Sequence, residues 1–216
     1  MLFPPMLNWE SKRAWILAVL TRAFIRIRYT KPEETRELSL LEEPTTVYTF
    51  QSDSSFFAQT TLFGTIVWNK TQMDTLSTEA KRLVLRHECS HRDRNPVYKG
   101  LFYSTAVSFA TGLMLLAFAG YLLVAGAPVS ELVRPTLIAV LMIAVFVVLF
   151  RVEETMADYH AICELGEEGF LTAYDEIATE GHVSLRGQLF RRLFYTHPQD
   201  TARLYRWFHG RLSLPA

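Results

Sequence analysis

The sequence predicts an α+β chain, mostly helical, in which a small β-sheet and one prominent helix precede an inserted transmembrane helical hairpin. Three observations predict it. Between Thr46 and Asn69, residues rich in Thr, Val, Phe and Trp are broken by turn residues, the pattern of two or three short strands. Ser77 to His91 patterns as a helix and contains His87-Glu88-Cys89-Ser90-His91, that is His-Glu-x-x-His. Finally, no residue from Gly100 to Ser130 is charged, and a second uncharged run extends from Pro135 to Phe150.

At 216 residues and 50% hydrophobic, the chain is long enough for one sizeable domain with a full core. A formal net charge of zero excludes a bulk electrostatic attraction to nucleic acid. Two cysteines, Cys89 and Cys163, make no disulfide framework and fit a reducing compartment. The N-terminal apolar run, Ala14 to Leu20, is short, leads into Arg22 and Arg26, and is followed by no small-residue cleavage site, so it is not a secretory signal.

Taken in order, Trp9 to Tyr29 reads as an amphipathic helix. Lys12, Arg13, Arg22, Arg26 and Arg28 supply cations, and Trp15, Leu17, Leu20, Phe24 and Ile27 supply apolar bulk. Both an anionic membrane surface and the body of the domain suit such a helix. Glu33, Glu34, Glu37, Glu42 and Glu43 mark an acidic linker, which closes a first segment, 1–44. Thr46 to Gln51 and Phe56 to Asn69, interrupted by Ser52-Asp53-Ser54 and Gly64, are the strands. Ser77 or Thr78, with Glu79 in the first turn, starts the next helix, and Leu83, Val84 and His87 continue its inner face. This second segment runs over 45–99.

Leu101 to Ala127 is long enough to cross a hydrocarbon layer as a helix, with Gly112 and Gly120 suited to close helix contacts. A connector with Pro128, Glu131 and Pro135 leads to the second run, which Leu132 and Val133 extend while Arg134 and Arg151 snorkel. The hairpin spans 100–150. Arg86, Arg92, Arg94 and Lys99 precede it and Arg151 follows it, whereas the connector holds only Arg134, opposed by Glu131. The positive-inside rule then places both termini and the His-Glu-x-x-His helix in the cytoplasm, with two spans in the cell membrane. Helices are expected at Val152–Leu165, Phe170–Thr179, Ser184–Tyr195 and Gln199–Leu212.

The His-Glu-x-x-His spacing carries chemistry for a geometric reason. Residues four apart project from one helix face, so the imidazoles of His87 and His91 can grip one Zn2+. Glu88, one step round, can accept the proton of a water that the ion polarises. A catalytic zinc takes three protein ligands, so a third is needed. After the second span stands Arg151-Val152-Glu153-Glu154-Thr155-Met156-Ala157-Asp158. If the spanning helix runs on, Glu154 and Asp158 share one face, one to bind metal and one to orient a ligand imidazole. Glu153 is the alternative ligand under a different helix phase.

The set His-Glu-x-x-His, two apolar spans, then Glu154-x-x-Ala157-Asp158-x-x-Ala161 resembles the HtpX-type membrane zinc metallopeptidases and their CAAX prenyl protease relatives, which are gluzincins. Thr196-His197-Pro198, followed by Arg203, is similar to that family's His-Pro segment and downstream Arg, and the likeness covers about residues 45 to 205. It implies a zincin-like domain made of 45–99 together with 151–216, one zinc per chain, and Glu154 as third ligand. It implies Asp158 as an outer partner of a ligand histidine and His197 as a stabiliser of the oxyanion. Thr196-x-x-Gln199 also reads as a capping box with Pro198 in the first turn, a structural alternative for His197. Arg203 is either a partner of an active-site carboxylate or a helix-surface cation. His160, His182 and His209 lack ligand spacing.

The chain departs from the family at Cys89 and Ser90, and it has only the amphipathic segment where HtpX has two spans before the catalytic helix, a reduced version. The expected function is a membrane-embedded zinc endopeptidase acting on membrane or misfolded proteins, with protein substrate and the lipid bilayer as partners. Two alternatives are a non-proteolytic sensor or scaffold with a structural metal site, and a self-cleaving signalling metalloprotease.

Overall fold

The computed structural model describes residues 32–52, 56–61, 64–180 and 193–212. The amphipathic segment Trp9 to Tyr29, most of the helix expected at Ser184–Tyr195, and His182 lie outside them. By its internal contacts the chain divides into two units, Met1–Asp93 with His160–His182, and Arg94–Tyr159 with Val183–Ala216. The divisions fall at Asp93/Arg94 and within a helix at Tyr159/His160.

In the first unit, strands β1 (Pro32–Leu38), β2 (Thr45–Phe50), β3 (Ala58–Thr60) and β4 (Ile66–Asn69) form one sheet in the order β1-β2-β4-β3. β1 runs antiparallel to β2, β2 parallel to β4, and β3 antiparallel to β4. All four β4 residues are buried, as a central strand of Ile, Val and Trp demands. Phe50 and Val67 form a buried pair against which Tyr48 and Phe56 pack, with the Phe50 and Phe56 rings stacked at 5.3 Å. Asn69, fully buried, donates its side-chain amide to the carbonyls of Ser52 and Phe56 and accepts the Ser52 N–H, which fixes both ends of the loop between β2 and β3.

β1 corrects the sequence reading. Its Glu34 and Glu37 belong to the stretch that the sequence marks as an acidic linker. It instead pairs from Glu34 to Leu38 with Thr49 to Thr45. Charged residues on an end strand discourage further pairing of that edge, so the acidic composition suits its position.

Helix α1 (Lys70–Met73) follows β4 directly, and α2 (Thr78–Arg92) carries the His-Glu-x-x-His motif. Ser77 caps α2, its hydroxyl oxygen accepting the Ala80 N–H at 3.2 Å. Glu176 then accepts the Ser77 N–H and O–H, each at 2.6 Å. Ala80, Leu83, Val84, Leu85 and Cys89 form the buried stripe of α2.

In the second unit, α3 (Pro96–Val124) begins at an Asn95 cap, whose side chain accepts the Val97 N–H at 2.9 Å, with proline in the first turn. It ends in a glycine stop. Gly126 at φ +82° lets its own N–H reach Leu123 and the Ala127 N–H reach Leu122, closing the last turn. α4 (Val129–Glu180) runs on from the span through the helix expected at Val152–Leu165 until Gly166, at φ +76°, kinks it ahead of the helix expected at Phe170–Thr179. The residues after that break, with Phe170 and Ala173 buried, belong to the first unit.

α3 and α4 pack through Phe109 on Phe146, ring centres 4.5 Å apart, and through Gly112. A methyl added at Gly112 would meet the Ala139 carbonyl oxygen at 3.1 Å and Ile143 at 3.2 Å, whereas one added at Gly120 meets nothing within 4 Å. Only the first of the two expected glycine contacts is therefore made. Of the most apolar windows in these helices only 11% and 6% are buried. Val107, Met114, Phe118, Leu137, Leu141 and Val148 all point outward. A core hairpin of a water-soluble domain would cover such side chains; two long apolar helices with bare faces are compatible with a membrane protein. α5 (Pro198–Leu212) closes the described chain.

Candidate metal centre

His87 and His91 sit one turn apart on α2, and their Nε2 atoms are 3.0 Å apart. Two nitrogens on one tetrahedral zinc, at about 2.0–2.1 Å each, lie roughly 3.3 Å from one another. The pair therefore meets that spacing within a few tenths of an ångström. The first unit thus offers two ligand nitrogens on one helix face, and the second unit carries the candidate carboxylate Glu154. Two imidazoles and a carboxylate suit zinc.

Cys89 faces away from this chemistry. It is buried, and its sulfur lies 3.9 Å from the Thr45 hydroxyl. Burial pushes its thiol up from the ordinary value, against the opposing pull of Arg92, which keeps it a neutral core side chain.

Glu88, 8% exposed, is held at the edge of the sheet. Its Oε2 accepts the backbone N–H of Thr60 at 2.5 Å, and its own carbonyl accepts the Thr60 hydroxyl at 2.7 Å. The next turn of α2 is tied to α4, where the Ser90 hydroxyl lies 2.6 Å from Nδ1 of His160. Burial, and secondarily the charge of Arg86, lower the His160 pKa, so the ring is favoured neutral.

In the second unit Glu154 is buried, with Asp158, also buried, one turn further along α4. Glu153, the alternative ligand, forms an ion pair with Arg94. Burial pushes the Arg94 guanidinium down, and the charge of Glu154 draws it back up, so this cation lies near both carboxylates.

His197 is exposed and terminates the backbone ahead of α5. Its carbonyl accepts the N–H groups of Asp200 and Thr201, and its Nδ1 accepts the Gln199 N–H at 3.3 Å. The expected capping box from Thr196 does not form, because the Thr196 hydroxyl is bonded to that of Thr155 on α4. Arg203 bonds Asp200 at 3.1 Å within α5 and its side chain is 71% exposed, the geometry of a surface cation. Sequence reasoning missed the partners of Glu88, Glu153 and Ser90. Each is a contact between distant segments for which a single sequence carries no local signal.

A His-Glu-x-x-His helix packed with a small sheet is the metal-binding element of a metallopeptidase. The model of Peptidase family M48 matches residues 26–207, and the chain belongs to that family. No curated protein and no solved structure matches it.

Proposed function

We propose that this protein is a membrane-embedded zinc endopeptidase that hydrolyses peptide bonds in membrane or misfolded proteins at a cytoplasm-facing site. The observation that carries the reading is the His87–His91 nitrogen pair with the anchored carboxylate of Glu88 between them in sequence. A purely structural metal site has no use for the non-ligating carboxylate of Glu88.

In this reading His87, His91 and Glu154 hold one zinc ion per chain. When bound, it lowers the pKa of a water and polarises the scissile carbonyl. Glu88 takes a proton from the water that attacks the peptide carbonyl carbon, and returns it to the amine as the C–N bond breaks. His197 accepts a backbone N–H at Nδ1, which leaves Nε2 as the ring atom to donate to the developing oxyanion. Asp158, one turn beyond Glu154, orients a ligand imidazole.

Among the described residues β3 ends the sheet, and the residues flanking it, Phe57 and Thr61, bond Asn69 and Thr65. By alternation the backbone groups of Ala58 and Thr60 point to the open edge, where an extended substrate adds as a strand. The bare apolar faces of α3 and α4 support two membrane spans, and the cations flanking them support a cytoplasmic site.

The test is zinc content and casein cleavage of detergent-purified wild type, Glu88→Gln and Glu154→Ala. One zinc per chain with cleavage is expected for wild type. Glu88→Gln should keep zinc and lose cleavage by about 10²-fold or more, and Glu154→Ala should lose zinc. Folded wild type without zinc, or full cleavage by Glu88→Gln, would sink the reading.

A further inference from the structure

We propose that Thr60 is the positioning residue for the general base Glu88, and that this fixes where a substrate strand pairs with β3. The proposal rests on the peptidase reading above for its catalytic part and on geometry for the rest. Thr60 reaches α2 twice, through its amide to Oε2 of Glu88 at 2.5 Å and through its hydroxyl to the Glu88 carbonyl at 2.7 Å. A carboxylate held at one oxygen by an N–H keeps the other oxygen as the proton acceptor, so the base is aimed before substrate arrives. The hydroxyl contact holds the helix backbone itself, so the amide contact does not depend on the Glu88 rotamer alone.

The position of this amide matters as much as its bond. The Asn69 N–H reaches the Phe57 carbonyl and the Thr61 N–H reaches the Thr65 carbonyl, so residues 57, 59 and 61 turn their backbone groups toward β4. Thr60 turns its N–H to the open edge, the side from which a substrate strand adds. Glu88 takes that N–H, so an added strand pairs with β3 at Ala58. One hydrogen bond thus sets both the aim of the base and the register of the substrate.

The experiment compares Thr60→Val, which deletes the hydroxyl and keeps the β-branched shape, with Thr60→Ser, which keeps the hydroxyl. For zinc-loaded full-length protein in detergent, Thr60→Val should lower kcat about tenfold, the equivalent of one hydrogen bond, with KM and zinc content unchanged. Thr60→Ser should restore most of kcat. Amide exchange supplies a second readout that requires no cleavage. In the purified full-length protein the Thr60 amide should exchange slowly, and Glu88→Ala should accelerate it at least about tenfold while leaving the Thr61 amide unchanged. Equal loss in both Thr60 variants, a Thr60→Val defect confined to KM or zinc content, or a Thr60 amide indifferent to Glu88→Ala would overturn the proposal. If wild type cleaves nothing, the peptidase reading fails while the exchange result still decides whether Thr60 holds Glu88.

Discussion

Arg94 forms an ion pair with Glu153, and the two side chains are only 16% and 13% exposed. Glu153 and Glu154 are adjacent, so they leave α4 about 100° apart and cannot serve the same partner equally. A cation on one separates their roles. Arg94 takes Glu153, which sets that carboxylate apart from its neighbour Glu154.

Removing Arg94 should therefore be costly. Arg94→Ala strands a largely buried carboxylate, and a loss of about 3 kcal/mol is expected, measured as thermal unfolding in detergent. The double variant Arg94→Ala, Glu153→Ala should recover much of that loss. Zinc content separates the two acids, since Glu153→Ala should retain zinc. The assignment is wrong if that variant loses the metal.

His160 gives the stability a pH dependence with a definite sign. Its folded pKa lies below the unfolded value of about 6.5, because burial and Arg86 disfavour the charged ring. Above the unfolded pKa the ring is neutral in both states and contributes no slope. As pH falls from there toward the folded value, the unfolded chain binds the extra proton and stability drops. Unfolding midpoints of wild type and His160→Gln between pH 7.5 and 5 check this. Wild type should show the steeper decline, and parallel curves would refute it.

Gly112 and Gly120 are both helical glycines of α3 with opposite surroundings. Gly112→Leu forces a side chain into the Ala139 carbonyl and Ile143, and should destabilise the hairpin by about 1–3 kcal/mol. Gly120→Leu enters open space and should be tolerated. Comparing the melting of the two variants in detergent tests the packing of α3 on α4, and equal effects would contradict it.

The two thiols should differ in reactivity. Cys89 is buried and its pKa is raised, whereas Cys163 is exposed. A maleimide should label Cys163 in the folded protein and reach Cys89 only on unfolding. Early labelling of Cys89 would mean that α2 opens readily from β2.

By itself the sequence determined what depends on neighbours along the chain. His87 and His91 fall on one face because a helix repeats every 3.6 residues. Ser77 caps α2 because its hydroxyl can reach an N–H three residues on. Two long apolar runs make two long apolar helices. Tertiary structure alone decided what depends on partners far away. The glutamate-rich Pro32–Leu38 becomes a strand because β2 offers a free edge, Glu153 is claimed by Arg94, and the Thr196 hydroxyl goes to Thr155 instead of a cap. The aim of Glu88 belongs with these. Thr60 stands 28 residues away from it, and only folding brings that amide within hydrogen-bonding distance.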